Sequence, residues 1–226
     1  MAKEDPYWAV STAPQYRGGK WDPPAFFATG RSQVRDIMSY ANLAGLSVKR
    51  GRALDFGCGL GRLTQALGDH FDEVLGIDIA PSMVEHAESL NPLKGKIRFL
   101  LNEVDSLTDL PTHTFDFVLS EITLMHMRPE YSKRYIADFL RVLRPGGVAV
   151  FQLPDPTTKQ RIRAFIPHFL LDPALRLRAK KSPRMEIYGI KRIQIERLII
   201  KFGASLGAVE EIREGHKGNR RYYVIA

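Results

Sequence analysis

The residues with the clearest chemical capacity lie in one short stretch, Ala53-Leu-Asp-Phe-Gly-Cys-Gly-Leu-Gly-Arg-Leu-Thr64. An apolar run enters Gly57, Gly59 and Gly61, and a helical pattern follows at once. Glycines there let the backbone turn sharply and approach a ligand closely, and the start of a helix offers unpaired N–H groups. Asp78 stands 21 residues beyond Gly57 at the end of the next apolar run, placed to accept from both hydroxyls of a ribose. The dinucleotide fingerprint is Gly-x-Gly-x-x-Gly, whereas the spacing here is Gly-x-Gly-x-Gly with Asp55 two residues ahead. A carboxylate at that point sits badly beside a pyrophosphate but suits an ammonium or sulfonium. The pattern favours an adenosylated amino acid over NAD. Downstream, His126 follows another apolar run on the same side and can titrate near neutrality, so it is the leading candidate for a general base. It could equally be a structural histidine packing a loop against the sheet. Tyr188, His168 and Glu121 are secondary candidates, and Cys58, inside the glycine loop, reads as a small packing residue.

Positioning these groups requires a particular scaffold. Short apolar runs at Ala53–Phe56, Val74–Ile77, Ile97–Leu101, Phe115–Leu119 and Val148–Leu153 alternate with helical patterns near Gly61–Leu67, Pro81–Leu90 and Tyr131–Leu143. Continuous apolar runs separated by helices predict a parallel sheet covered on both faces. A later helix carries Ile195, Leu198, Ile199 and Phe202 on one face, and the runs Leu206–Ile212 and Arg220–Ile225 predict a closing hairpin. The expected fold is α/β: a doubly wound, Rossmann-like, seven-stranded sheet, mostly parallel, with a C-terminal antiparallel hairpin. Ahead of it, residues 1–30 are rich in Pro, Gly and aromatics and read as an ordered arm, with a helix opening at Ser32 and ending near Gly45. One domain is expected over residues 1–226, with residues 155–188 inserted as a basic cap.

At this point the chain resembles the class I S-adenosylmethionine-dependent methyltransferases, of a small-molecule type found in an uncharacterised bacterial subgroup. DFGCGLG is similar to that family's first motif and GIDIAPSMVEHA to its second. LPTHTFDFVLSEITLMHM resembles its fourth-strand segment, and FLRVLRPGGVAVFQLP the helix and strand that follow. The resemblance covers roughly residues 50–155. It implies that Asp55, Gly57, Cys58 and Gly59 hold the methionine moiety, that Asp78 holds the ribose, and that Ile79 and Met83 pack on the adenine. Where the family often has Gly-Asp, this chain has Asn102-Glu103, so the adenine amino group would meet Glu103, or Asn102 or Val104 through backbone. Ser120 and Glu121 would line the passage to the acceptor. The implied cofactor is S-adenosyl-L-methionine, with S-adenosyl-L-homocysteine as product, and the implied reaction is methyl transfer to a small molecule, most readily at oxygen. Alternatives are an RNA or protein methyltransferase, or a non-catalytic module that binds the cofactor. By the same resemblance, the arm residues Tyr7, Trp8, Tyr16, Phe27 and Gly30 are candidate lid residues.

Composition narrows the partners. Of 33 Lys/Arg and 25 Asp/Glu in 226 residues, the stretch from Asp155 to Lys201 holds 12 and 4, so the whole excess of +8 sits there and the remainder is balanced. In that stretch Arg161, Arg163, Arg176, Arg178, Lys180, Lys181 and Arg184 alternate with apolar residues. They predict either an amphipathic cap with its basic face in water or a surface that recruits an anionic acceptor or membrane. Nucleic acid is the least favoured partner, because no RNA-binding module is legible. A single cysteine excludes an internal disulfide and a multi-thiolate metal site, and no metal is expected. No apolar run reaches the roughly 18 residues of a membrane span, and MAKEDPYWAV lacks the apolar core of a secretory signal. The expected location is the cytoplasm.

Overall fold

A computed structural model describes residues 5–10, 14–157, 186–212 and 218–226. The elements run α1 (Pro6–Val10), a 3-10 turn (Pro14–Tyr16), α2 (Pro23–Leu43), β1 (Arg52–Phe56), α3 (Arg62–Gly68), β2 (Glu73–Asp78), α4 (Pro81–Ser89) and β3 (Ile97–Leu101). Then come β4 (Phe115–Ser120), a 3-10 turn (Leu124–His126), α5 (Pro129–Val142), β5 (Leu143–Pro154), α6 (Arg192–Lys201), β6 (Ser205–Glu211) and β7 (Asn219–Ile225). The basic residues 158–185, with His168 and all seven cations named above, lie outside the described residues.

The seven strands form one sheet in the order β3-β2-β1-β4-β5-β7-β6. β1 pairs with β2 and β4, β2 with β3, and β4 with β5, all parallel, while β7 runs antiparallel to β5 and β6. This is the expected mostly parallel sheet with its closing hairpin. Order reverses between β1 and β4, and in such sheets the crevice beyond the carboxyl ends at the reversal is where ligands bind. Strand parity divides the core. Leu54, Ala149, Phe151, Tyr222 and Val224 face α5 and α6, while Ala53, Val148, Val150 and Tyr223 face α2 and α3. Burial of both faces explains why the strands read as unbroken apolar runs.

The arm differs from the sequence expectation. The helix does not open at Ser32. It begins at Pro23, where Asp22 accepts from the Ala25 N–H (3.2 Å) and two prolines occupy the first turn. Phe26, Gly30, Val34, Ile37, Met38 and Ala41 form its buried stripe. Phe27 and Gly30 therefore belong to this helix and not to a separate arm. Gly30 is a packing glycine, since a Cβ there would overlap the Arg62 backbone carbonyl of α3. Helix α1 lies over the loop: Tyr7 packs edge-on against Phe26 (centroids 5.0 Å), and Tyr7 and Val10 pack on a cluster with Leu60 and Met83.

Candidate functional site

The loop after β1 is shaped by three left-handed glycines, Gly57, Gly59 and Gly61, at φ 79, 53 and 78. Each is crowded where a side chain would begin. A Cβ on Gly57 would overlap Thr123, one on Gly59 would come 2.9 Å from Val10, and one on Gly61 2.6 Å from Phe99. The Gly57 and Cys58 N–H groups donate to the Ile77 carbonyl of β2 (2.8 and 3.0 Å), tying the loop to the neighbouring strand. Asp78 completes this brace, accepting from Gly59 N–H at Oδ2 (2.8 Å) and from Ala80 N–H at Oδ1 (2.9 Å).

A cavity of about 1480 Å³ runs along this edge of the sheet. Its wall passes from Asp78 after β2, by Asp55 and the glycine loop, to Glu121 after β4, Gln152 on β5, Arg221 on β7 and Glu210 on β6. Strands lie ~4.8 Å apart, so five steps from β2 to β6 span about 24 Å. Small-molecule sites commonly occupy roughly 300–1,000 Å³. The cavity is large enough for two molecules side by side.

Of the residues expected at the site, Asp55, Gly57, Cys58, Gly59, Asp78, Ile79, Met83, Glu121 and His126 line this cavity. Glu103, Val104 and Ser120 do not. Asn102 lines it instead, with its side-chain N–H donating to the Val104 carbonyl (2.9 Å), and Glu103 and Val104 are turned to solvent. Ser120 is the last residue of β4, fully buried, and its Oγ has no hydrogen-bond partner. Tyr188 lies outside the wall, with its hydroxyl donating to Glu186. His126 Nδ1 stands 3.4 Å from the Glu186 carbonyl. Cys58 is buried, and burial pushes its thiol well above the usual range, which leaves it unreactive.

Sequence reasoning missed the second half of the wall. Glu121 accepts from Arg221 Nε (2.9 Å) and Nη2 (2.8 Å) and from Gln33 Nε2 (2.7 Å), and Arg221 Nη1 donates to Glu210 (2.5 Å). Burial lowers the affinity of Arg221 for its proton, but the bonds and charge of Glu121 outweigh it and hold that guanidinium above its ordinary value. Arg62 donates to Gln33 (2.8 Å) and Thr29 (3.3 Å) on α2, while its Nε is buried with no partner. The legible signals were Arg62 directly after Gly61 and the alternation of Arg221 with Tyr222 and Val224. Between Glu121 and Thr123, Ile122 adopts φ 60, a left-handed conformation that costs a β-branched residue about 1–3 kcal/mol. That strained turn presents Glu121 and Thr123 to the cavity.

Asp55 is the electrostatically unusual group. Fully buried, it accepts from the Thr64 hydroxyl (2.6 Å). Burial pushes its carboxyl up to about 7, against Thr64 and Arg62, which pull it down, and with Asp78 and Glu121, which add to the rise. The folded value thus exceeds the ordinary 3.8. The unfolded chain ionises first, so Asp55 costs nothing below pH 3.8, and stability falls as pH rises toward 7, by a few kcal/mol in total. Asp55→Asn is therefore expected to melt near the parent at pH 4 and above it by a margin that widens up to pH 7 in ligand-free protein. Thermal melts from pH 4 to 8 check this, and a pH-independent margin contradicts it. A cation beside Asp55 would hold it ionised.

Residues 54–151 match the family model described as a methyltransferase domain. The trans-aconitate 2-methyltransferase of Methylobacterium radiotolerans is 31% identical over 137 residues, 60% of this chain and 50% of that protein. The ubiquinone biosynthesis O-methyltransferase of Methylococcus capsulatus is 27% identical over 151 residues, 65% of this chain and 61% of that one. The chain thus spans half to about three fifths of the length of these curated relatives. The fold matches the magnesium protoporphyrin IX methyltransferase of Synechocystis, solved with bound S-adenosylhomocysteine, at TM-score 0.64 and 16% identity over 97% of this chain and 92% of that one.

Proposed function

We infer that this chain, whose residues 54–151 match a methyltransferase-domain model, is a class I S-adenosylmethionine-dependent enzyme that transfers a methyl group from S-adenosyl-L-methionine to a small-molecule acceptor and releases S-adenosyl-L-homocysteine. The observation that carries the reading is the pairing of a left-handed glycine loop with the buried carboxyl of Asp55 in one cavity wall.

The residues fit the cofactor. Gly57 and Gly59 line the cavity with bare backbone, which suits its methionine portion, with Asp55 facing positive charge there and Cys58 packing beneath. Arg62 Nε, a buried donor lacking a partner, suits a carboxylate. Asp78 suits the ribose hydroxyls, and Ile79, Met83 and Asn102 the adenine. When bound, the cofactor supplies a methyl group on a sulfonium, already activated for in-line displacement. The protein's own work is then alignment and exclusion of water. Helix α1 contributes by covering the loop, with Val10 in the cavity wall.

Oxygen is the acceptor atom we favour. The support is that one relative is named as an O-methyltransferase, and that His126 lines the cavity where a hydroxyl proton could be taken up. The test is to incubate the protein with methyl-labelled cofactor and a small-molecule extract. Label is expected in the low-mass fraction and not in protein or RNA, and label in either polymer overturns the acceptor class. General bases contribute about 10²–10⁴-fold. His126→Ala is expected to slow transfer at least about 100-fold at neutral pH, and a change within about threefold across pH 6–9 removes the base assignment.

A further inference from the structure

The far end of the cavity has a composition that bears on the acceptor. Gln152, Arg221 and Glu210 pair in register across β5, β7 and β6, so they form one row on the face covered by α2. Asn219, two residues before Arg221, lies on the same face at the next step of the edge. It is 3% exposed, lines the cavity, and its Oδ1 has no hydrogen-bond partner. A buried acceptor left unmatched costs about 1–3 kcal/mol, so it needs an explanation. On α2, Gln33 reaches Glu121 and Tyr40 donates to the Val209 carbonyl (3.1 Å). Asp36, one turn from each, stands between those two anchor points and lines the cavity.

The charges at this end agree with the orphaned acceptor. Among the described residues, Asp36, Glu121, Glu210 and Glu211 line this end; Arg221 is already bonded to Glu121 and Glu210, and Glu211 pairs with Arg220 on the opposite face of the hairpin. Arg62 sits nearer the glycine loop and is tied to α2. An anion entering here meets carboxylates and an unmatched amide oxygen, with only the amide N–H groups of Gln152 and Asn219 as uncharged donors. A group that brings N–H donors and positive charge meets the complement of both. The basic stretch of the sequence suggested an anionic acceptor, and the described wall argues for the opposite charge.

We propose that this end of the cavity binds a protonated amine of the acceptor, held by Asn219 Oδ1 and the carboxylates of Asp36 and Glu210. The proposal rests on the methyltransferase reading, in which the glycine-loop end is taken by the cofactor. It makes the acceptor class a small molecule that carries an ammonium group beside the atom to be methylated.

The experiment uses protein saturated with S-adenosylhomocysteine, whose binding is verified first by calorimetry. Three probes with one ring and different charge are then titrated: tyramine, 4-hydroxyphenylethanol and 4-hydroxyphenylacetate. Tyramine is expected to bind at least roughly tenfold more tightly than the acid, with the alcohol between them. Asn219→Leu and Asp36→Asn are each expected to weaken tyramine at least about fivefold while leaving the alcohol nearly unchanged. Asp36 is exposed, so its replacement leaves the core intact and keeps the test sound if Asn219→Leu fails to fold. Equal or tighter binding of the acid overturns the proposal. So does absence of tyramine binding, or tyramine binding indifferent to both substitutions. In those cases the cofactor reading stands. Failure of S-adenosylhomocysteine to bind overturns the cofactor reading, and this proposal with it.

Discussion

Asp78→Ala is expected to weaken S-adenosylmethionine binding by 100-fold or more. The carboxylate has two roles that the substitution removes together. In the ligand-free fold its two oxygens accept from Gly59 and Ala80 N–H groups, holding the glycine loop against the start of α4. In the proposed complex the same oxygens take the ribose hydroxyls. Bonds to charged groups are worth about 1.5–3 kcal/mol each, so losing two removes at least ~3 kcal/mol. That is the hundredfold. Asp78→Asn keeps one acceptor oxygen and should lose roughly tenfold. Calorimetric titration of both variants, with far-ultraviolet circular dichroism to show that they fold, gives the answer. An alanine variant that binds within about threefold of the parent would remove Asp78 from the ribose site and leave it as a loop brace alone.

The second large effect is on stability. Glu121→Ala should cost about 3–5 kcal/mol, because it strands a buried guanidinium. The Arg221 side chain is 8% exposed and that of Glu121 1%. Glu210 still pairs with Arg221 (2.5 Å) but reaches only its Nη1. For a chain of this size such a loss lowers Tm by roughly 10 °C. Breaking the pair is the expensive step, whereas replacing both members with apolar residues is often neutral. The double variant Glu121→Leu/Arg221→Met should therefore recover most of the loss, and a double-mutant cycle on Tm measures the coupling. If Glu121→Ala melts within 2 °C of the parent, the network is not what fixes the turn after β4.

How far the sequence reveals this molecule depends on how local each signal is. The strands were legible because both sheet faces are buried, so each strand is an apolar run with its own boundaries, whereas their order in the sheet comes from the structure. The helix following residue 22 was misjudged because its buried face begins with Phe26 and Gly30, within a stretch whose aromatics and prolines resemble an arm. The Asp-Pro-Pro start was the overlooked signal. Near the glycine loop the wall comes from contiguous motifs, and Asp55, Gly57, Gly59 and Asp78 could be named from spacing. The far wall is assembled from residues about 100 apart, Glu121 with Arg221 and Gln33 with Glu121. The pairing of β4 with β5 and of β5 with β7, and the packing of α2 on that face, bring them together, and no spacing rule encodes that arrangement. Glu103 and Val104 show the limit of transferring a motif by position. The loop after β3 bends back through the Asn102–Val104 bond, and it is Asn102 that joins the wall.

The most direct test is calorimetric titration of the ligand-free protein with S-adenosylmethionine, then S-adenosylhomocysteine, with NAD as control. The account predicts micromolar binding of both adenosyl ligands, about −8 kcal/mol, and none of NAD. Folded protein that binds neither adenosyl ligand, or that prefers NAD, contradicts it.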